Sequence, residues 1–249
     1  MTDKNVLVTT KDGSNTLFST KYNQHFHNID DGSLNEALNK HIVPALTYHK
    51  DKKELNILDI CFGIGYNTLA TIYYVLKHQL NIKLNIYSPE LDFDLVKSLQ
   101  NFLYPKEFDN FSNIIKELSL NQKYEDKNIK IEVEILNARE YIKKFPIDFF
   151  DIVYQDAFSS EVNYELWTKE YFDDIFQICK EDLVITTYSI SSNVRLSLYE
   201  AGFYIYEIKL DKKKSTLAFK KNQNKIGKYI DMELKKQRNK EAKALYDNK

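Results

Sequence analysis

Six positions in this 249-residue chain have side chains and spacings suited to holding one polar ligand: Asp59, Gly63, Gly65, Glu90, Asn137 and Asp156. Gly63 and Gly65 follow the apolar run Ile57-Leu58-Asp59-Ile60, and an apolar-periodic segment opens at once behind them (Leu69, Ile72, Tyr73, Leu76). Strand, glycine loop and helix form the first turn of a nucleotide-binding α/β sheet. The glycines let the backbone turn sharply and let a ligand approach where a Cβ would clash. The helix start offers unpaired N–H groups to polar ligand atoms. Glu90 lies 25 residues past Gly65 at the end of the next apolar run, placed to accept hydrogen bonds from a ribose diol. Asn137 ends a third run, where its amide could meet an adenine edge, and Asp156 ends a fourth. Each of these polar residues taken singly also suits a helix N-cap, and the loop alone suits an ordinary βα turn.

The elements that must position them follow from periodicity. Residues 6–20 predict a hairpin: Val6, Val8 and Leu17 alternate with polar neighbours around Asp12-Gly13. Leu34 to Tyr48 has helical spacing, with Pro44 as a kink or stop. Beyond the strand of the opening motif, strands are predicted at 82–87, 129–136, 149–154, 183–188, 203–210 and 216–219. Helices are predicted from the glycine loop to about 79 and over 92–102, 111–120, 165–178 and 194–200, the last stopped by Gly202. Alternating strands and helices predict an α/β fold with a doubly wound, mostly parallel sheet. The last two strands predict an antiparallel edge pair. Ligands of such sheets sit outside the carboxyl ends of the strands, where the six positions fall.

The loop spacing narrows the ligand. Cys61, Gly63 and Gly65 lie two, four and six residues past Asp59. This resembles the D-x-G-x-G-x-G loop of S-adenosylmethionine methyltransferases, with Cys61 for the first glycine. The nicotinamide fingerprint G-x-G-x-x-G fails because Thr68 holds its third glycine position. A second stretch is more specific. Asp156-Ala157-Phe158-Ser159, then Asn163-Tyr164-Glu165-Leu166-Trp167-Thr168, resembles D-A-F-S/A-P-x-x-N-P-E-L-W-T of the tRNA wobble-uridine methyltransferases. Those enzymes convert 5-aminomethyl-2-thiouridine to 5-methylaminomethyl-2-thiouridine. Asp12-Gly13-Ser14…Thr16-Leu17, His25-Phe26-His27 with Gly32…Glu36, and Phe62-Gly63-Ile64-Gly65-Tyr66-Asn67 resemble further segments of that family. So do Asn137-Ala138-Arg139 and Thr187-Tyr188-Ser189…Val194-Arg195, so the resemblance runs along most of the chain. Asn137 stands where the family has Asp, and Ser160 and Tyr164 replace two prolines.

The resemblance implies a Rossmann-like, seven-stranded class I methyltransferase sheet with an N-terminal β-hairpin extension. It divides the chain into an extension over 1–50, a methyltransferase domain over 51–222 and a basic tail over 223–249. It implies S-adenosylmethionine as cofactor, held by Asp59, Phe62, Gly63, Gly65, Asn67, Glu90, Asn137, Ala138 and Asp156. Substrate would meet Glu36, Phe158, Trp167 and Tyr188, and Asp156 would be catalytic. A free alkylamine titrates near 10 and a carboxylate near 4, so Asp156 is expected to orient the amine, or the cofactor's own ammonium, and not to serve as outright base. The family's fused flavin oxidase has no room in 249 residues, which implies the stand-alone form.

Composition bounds the remainder. Hydrophobic content of 43% supports a large core, and no apolar run reaches membrane-spanning length, so a cytoplasmic protein is expected. Two isolated cysteines and five scattered histidines show no ligand spacing, and no metal site is expected. The net charge of −1 hides an asymmetry: residues 209–249 carry 14 Lys and Arg against 5 Asp and Glu, +9, and the preceding residues 21 against 31, −10. A basic end on an acidic body suits nucleic-acid contact, with Lys212, Lys213, Lys214 and Lys220 against phosphates, and equally a solvated tail; the resemblance implies that the contact is with the anticodon stem-loop of tRNA. A transferase acting on a small polyamine-type substrate and a non-catalytic RNA-binding relic are the competing readings.

Overall fold

The computed structural model describes residues 5–210 and 213–248. Its N-terminal part is a small antiparallel sheet of β1 (Asn5–Thr9), β2 (Asn15–Ser19) and β3 (Gln24–His25). The helical segment behind it runs through α1 (Ser33–Glu36), a π-helical stretch (Ala37–Ile42) and α2 (Val43–Tyr48). Pro44 explains the wide turn: it has no N–H for the carbonyl four residues earlier, and Val43 N instead reaches five residues back to Leu38 O.

Asp12 and Gly32 lock hairpin to helix. The Asp12 carboxylate accepts from Thr10 Oγ1 (2.8 Å), Ser14 N (2.9 Å) and Ser14 Oγ (2.5 Å). It also accepts from Asn35 N (3.0 Å), in the first turn of α1, and so caps a helix whose own cap position is a glycine. Gly32 has φ +86°, and a Cβ there would lie 1.9 Å from the Asp12 carboxyl carbon. No other residue fits that junction.

The main sheet is built from β4 (Glu54–Ile60), β5 (Lys83–Glu90), β6 (Lys123–Glu125), β7 (Ile129–Ile135), β8 (Phe150–Gln155), β9 (Cys179–Thr187), β10 (Tyr204–Leu210), β11 (Lys213–Phe219) and β12 (Lys228–Tyr229). Their order is β12-β10-β11-β9-β8-β4-β5-β7-β6. The five central strands β9, β8, β4, β5 and β7 are parallel, and β11 and β10 add an antiparallel pair. The seven-stranded sheet is thus present, extended at its edges by the short strands β6 and β12. Both are too short and polar to read as period-2 segments.

Helices cover both faces: α3 (Tyr66–Lys77), α4 (Phe93–Ser98), α5 (Ser112–Asn121), α6 (Ala138–Ile142), α7 (Lys169–Ile178), α8 (Ser192–Glu200) and α9 (Met232–Arg238). Alternation along each strand splits the core in two. Ile57, Ile86 and Ile152 face one side with Leu69 and Ile72 of α3, while Leu58, Val153 and Ile185 face the other with Phe172 of α7 and Leu198 of α8. Among the described residues no helix is long and apolar enough to cross a membrane.

Candidate active site

A cleft of about 930 Å³ opens at the carboxyl ends of β4, β5, β7 and β8. The glycine loop and β5 end form one wall, and the N-terminal extension with the Asp156 loop forms the other. Of the residues expected to act here, Glu36, Phe62, Gly63, Asn67, Glu90, Asn137, Ala138, Asp156, Phe158 and Tyr188 line it. Asp59, Gly65, Trp167, Lys213 and Lys214 do not. Lys212 lies outside the described residues.

The loop after β4 is shaped around its ring of neighbours. A Cβ on Gly65 (φ +74°) would stand 2.8 Å from the Phe62 ring. Cys61 sits in the same left-handed region (φ +67°), where the resemblance has glycine, so this chain carries some backbone strain there. Burial holds its thiol protonated by pushing its pKa well up. Glu90 closes the loop from β5: one oxygen accepts from Gly63 N (2.8 Å), the other from Leu91 N (2.8 Å) and Asp92 N (2.9 Å). Burial pushes the Glu90 carboxyl up, against the pull of these three amides. Asn137 Oδ1 accepts from Arg139 N (2.8 Å) and caps α6, a short helix that was not expected from the sequence.

Two acids sit below the loop. Asp59, 1% exposed, accepts from Thr68 Oγ1 (2.8 Å) and Asn67 Nδ2 (3.3 Å). Burial pushes its carboxyl up to about 7, with the nearby Asp156 charge acting the same way and the Thr68 bond opposing. Asn67 Nδ2 also donates to Asp156 Oδ2 (2.9 Å), so one amide ties both acids together. Asn67 Oδ1 is buried with no hydrogen-bond partner among the described residues. Burial alone would raise the Asp156 carboxyl, but His41, His27 and the Asn67 bond outweigh it and hold it below the usual range.

The Asp156 loop is pinned at successive backbone atoms. Tyr188 Oη donates to Ala157 O (2.9 Å), Phe158 N donates to Asn163 Oδ1 (3.1 Å) and Trp167 Nε1 donates to Phe158 O (2.7 Å). Gln24 of β3 adds the last link, Nε2 donating to Ser159 Oγ (2.7 Å). These contacts are the physical reason for the spacing D-A-F-S…N…W, and they do what the absent prolines would otherwise contribute. Trp167 is fully buried and supports the loop from beneath. Phe158 packs between Tyr22 and Phe26 with centroids 5.2 and 5.1 Å away, giving the cleft an aromatic wall. Glu36 is already engaged, with Asn28 N (2.6 Å) and Lys40 Nζ (2.7 Å). Sequence reasoning did not single out Lys40, Tyr22 or His41, and local pattern carries no signal for them.

The cleft fits S-adenosylmethionine: Gly63 lines it without a side chain, the amide oxygen of Asn67, without a partner among the described residues, lies at its floor, and acids surround a space that would receive a sulfonium and an ammonium. A family model described as S-adenosyl-L-methionine-dependent methyltransferase matches residues 105–221. Fold, loop and family together make this chain a class I S-adenosylmethionine-dependent methyltransferase. MNMC2 from Aquifex aeolicus superposes with a TM-score of 0.86 at 27% identity, covering 98% of this chain and 79% of that one. The tRNA 5-methylaminomethyl-2-thiouridine biosynthesis bifunctional protein MnmC of Campylobacter fetus is 24% identical over 78% of this chain and 32% of its own length. Uncharacterized protein MJ0670 of Methanocaldococcus jannaschii is 26% identical over 82% of this chain and 56% of its own length. The chain therefore spans about half of the one curated relative and a third of the other. Polyamine aminopropyltransferase of Pyrobaculum aerophilum is 26% identical over 73% of this chain and 55% of its length. Within its class the chain is similar to the MnmC methyltransferases.

Proposed function

We propose that the chain methylates the 5-aminomethyl group of the wobble uridine of tRNA, forming 5-methylaminomethyl-2-thiouridine from 5-aminomethyl-2-thiouridine. The observation that carries this is the likeness to MNMC2 over 98% of the chain, which takes in the N-terminal extension as well as the sheet. That extension supplies Tyr22, Phe26 and Gln24, which form one wall of the cleft together with the Asp156 loop. The name of the Campylobacter relative points the same way. The proposed place of action is the cytoplasm, with the anticodon stem-loop as the part of tRNA engaged.

S-adenosylmethionine, when bound, supplies a methyl group on a positively charged sulfur. Glu90, Asn137 and Ala138 are proposed to hold its nucleoside end and Phe62, Gly63 and Asn67 its amino-acid end, with Gly65 acting through Phe62 and Asp59 through Asn67. Asp156 orients the substrate amine, and Phe158, Tyr188 and Glu36 border its place. Trp167 contributes by fixing Phe158. Orientation and exclusion of water carry most of the rate effect in such a transfer. The aromatic wall supplies the dry side and Asp156 the polar one.

A small polyamine-type acceptor is the second reading, favoured by the aminopropyltransferase likeness and by Asp92, Asp94 and Glu165 along the cleft. Incubation with methyl-labelled S-adenosylmethionine, undermodified tRNA and spermidine in separate reactions tests both. Label in tRNA alone is expected. Label in spermidine alone replaces the first reading by the second.

A further inference from the structure

We propose that Tyr104 is a positioning residue for S-adenosylmethionine: its hydroxyl fixes the peptide between Ile64 and Gly65, and with it the shape of the glycine loop that the cofactor meets. The inference rests on the cofactor and is separate from the identity of the amine that receives the methyl group. Tyr104 Oη donates to Ile64 O (2.8 Å), a partner 40 positions away in the chain. On the same peptide, Gly65 N donates to Phe62 O (2.9 Å). One end of the peptide is held from outside the loop and the other from within it, so its plane cannot turn over without losing both bonds. Gly63 and Ile64 both line the cleft.

The loop needs such a hold. Cys61, Gly63 and Gly65 all have positive φ, at 67°, 57° and 74°. Glycine populates both hands of the backbone, so peptides between two glycines are free to turn over unless something holds them. Phe62 N donates to Pro89 O (3.1 Å), and Gly63 N donates to Glu90 Oε2 (2.8 Å). Both of these bonds run to the end of β5 and leave the next peptide, Ile64–Gly65, to Tyr104. The helical ladder of α3 does not reach that carbonyl either: it begins one residue later, with Leu69 N donating to Gly65 O (2.9 Å).

Tyr104 is itself well placed to hold. Its ring lies among those of Phe102, Tyr66 and Phe108, with centroids 4.8, 6.0 and 6.0 Å away. Pro105 follows it and biases its backbone toward extended conformations. Asn15 of β2 braces the segment: its Nδ2 donates to Leu103 O (2.9 Å), and its own carbonyl accepts from Tyr66 Oη (2.9 Å). The segment is thereby a strut between the N-terminal hairpin and the first turn of α3. Burial pushes the Tyr104 phenol well up, so the hydroxyl keeps the proton it donates. The competing view is a packing tyrosine whose hydroxyl finds the nearest carbonyl, and it predicts no effect on the cofactor once the ring is kept.

Tyr104→Phe keeps the ring and removes the bond. Calorimetry of the full chain with S-adenosylmethionine is expected to show a Kd raised about five- to tenfold, the scale of one lost hydrogen bond. Tyr73 packs on the same Phe108 ring, but its hydroxyl meets Lys77 Nζ (3.0 Å) and not the loop. Tyr73→Phe is therefore expected to bind the cofactor as the wild type does. In the ligand-free proteins, hydrogen exchange at the Gly65 amide is expected to be about tenfold faster in Tyr104→Phe, with the amides of β4 and β5 unchanged. A Kd within about twofold of the wild type overturns the proposal, as does an unaltered Gly65 amide. An equal loss of affinity in Tyr73→Phe overturns it too, since the effect then belongs to the aromatic packing. Neither measurement needs a methyl acceptor, so a failure here is distinct from a failure of the tRNA reading.

Discussion

At the scale of single residues, the site works by giving chemically alike groups unlike surroundings. Asp59 and Asp156 share one amide, yet burial raises the first and the neighbouring imidazoles lower the second. Asp156 is therefore the ionised partner, suited to a positively charged amine. Asp156→Asn is expected to keep cofactor binding within a few-fold in calorimetry, because the amide is nearly isosteric. Turnover is expected to fall about a hundredfold, the scale of removing one electrostatic contact at a reacting centre. Asp59 gives a stability signature instead. Its carboxyl titrates at 3.8 when unfolded and at about 7 when folded, so the native state binds the extra proton between those values. The stability it contributes is complete below pH 4 and is lost as pH rises through 7, by at most about 1.4 kcal/mol per pH unit. The stability difference between wild type and Asp59→Asn, from urea unfolding, is expected to shift against the wild type from pH 4.5 to pH 7.5. Comparing the two proteins cancels His27 and His49, whose burial-lowered values push stability the opposite way.

At the scale of elements, the cleft depends on joints between pieces that are marginal alone. A two-residue β3 and a four-residue α1 are not stable by themselves. They persist because Asp12 caps α1 across Gly32 and because Gln24 ties β3 to the Asp156 loop. Gly32→Ala combines a left-handed backbone with a methyl carbon 1.9 Å from the Asp12 carboxyl. It is expected to cost about 3 kcal/mol or more in urea unfolding. Asp12→Ala removes the clash along with the cap, so the double variant is expected to be clearly less destabilised than the sum of the single ones.

At the scale of the whole molecule, part of the charge asymmetry of the sequence is paired in space. Lys213 meets Asp31, Lys214 meets Glu207 (2.8 Å), Lys221 meets Glu181 (3.0 Å) and Lys236 meets Glu200 (3.0 Å). Lys220, which the charge pattern alone would have offered to phosphate, is 5% exposed and donates to Cys179 O over the Phe176 ring. The C-terminal segment is also more than a solvated tail: Asp247 takes Arg139 of α6 in a two-bonded pair (2.6 and 2.7 Å), and Leu245 N donates to Ser197 Oγ of α8 (2.8 Å). Lys213 and Lys214 remain about half exposed, and surface pairs exchange partners at little cost. Replacing both by Glu is expected to weaken tRNA binding and to lower its salt slope by about 2, read from titrations at several salt concentrations.

The sequence by itself determined the sheet, the glycine loop and the Asp156 loop, because strand alternation, helical spacing and turn chemistry are local properties of a few neighbouring residues. It also placed Glu90, Asn137 and Asp156 at strand ends, which in a parallel sheet share one edge. What the tertiary structure alone decided are the relations between distant segments. His41 meets Thr186 across 145 positions, and it faces Asp156 from the π-helical turn ahead of Pro44. Trp167 looked like a wall of the cleft and became its support, since the backbone carbonyl of Phe158 needed a donor. Partners of this kind are chosen by packing, where each buried polar group must find whatever lies within reach, and no spacing along the chain records that choice.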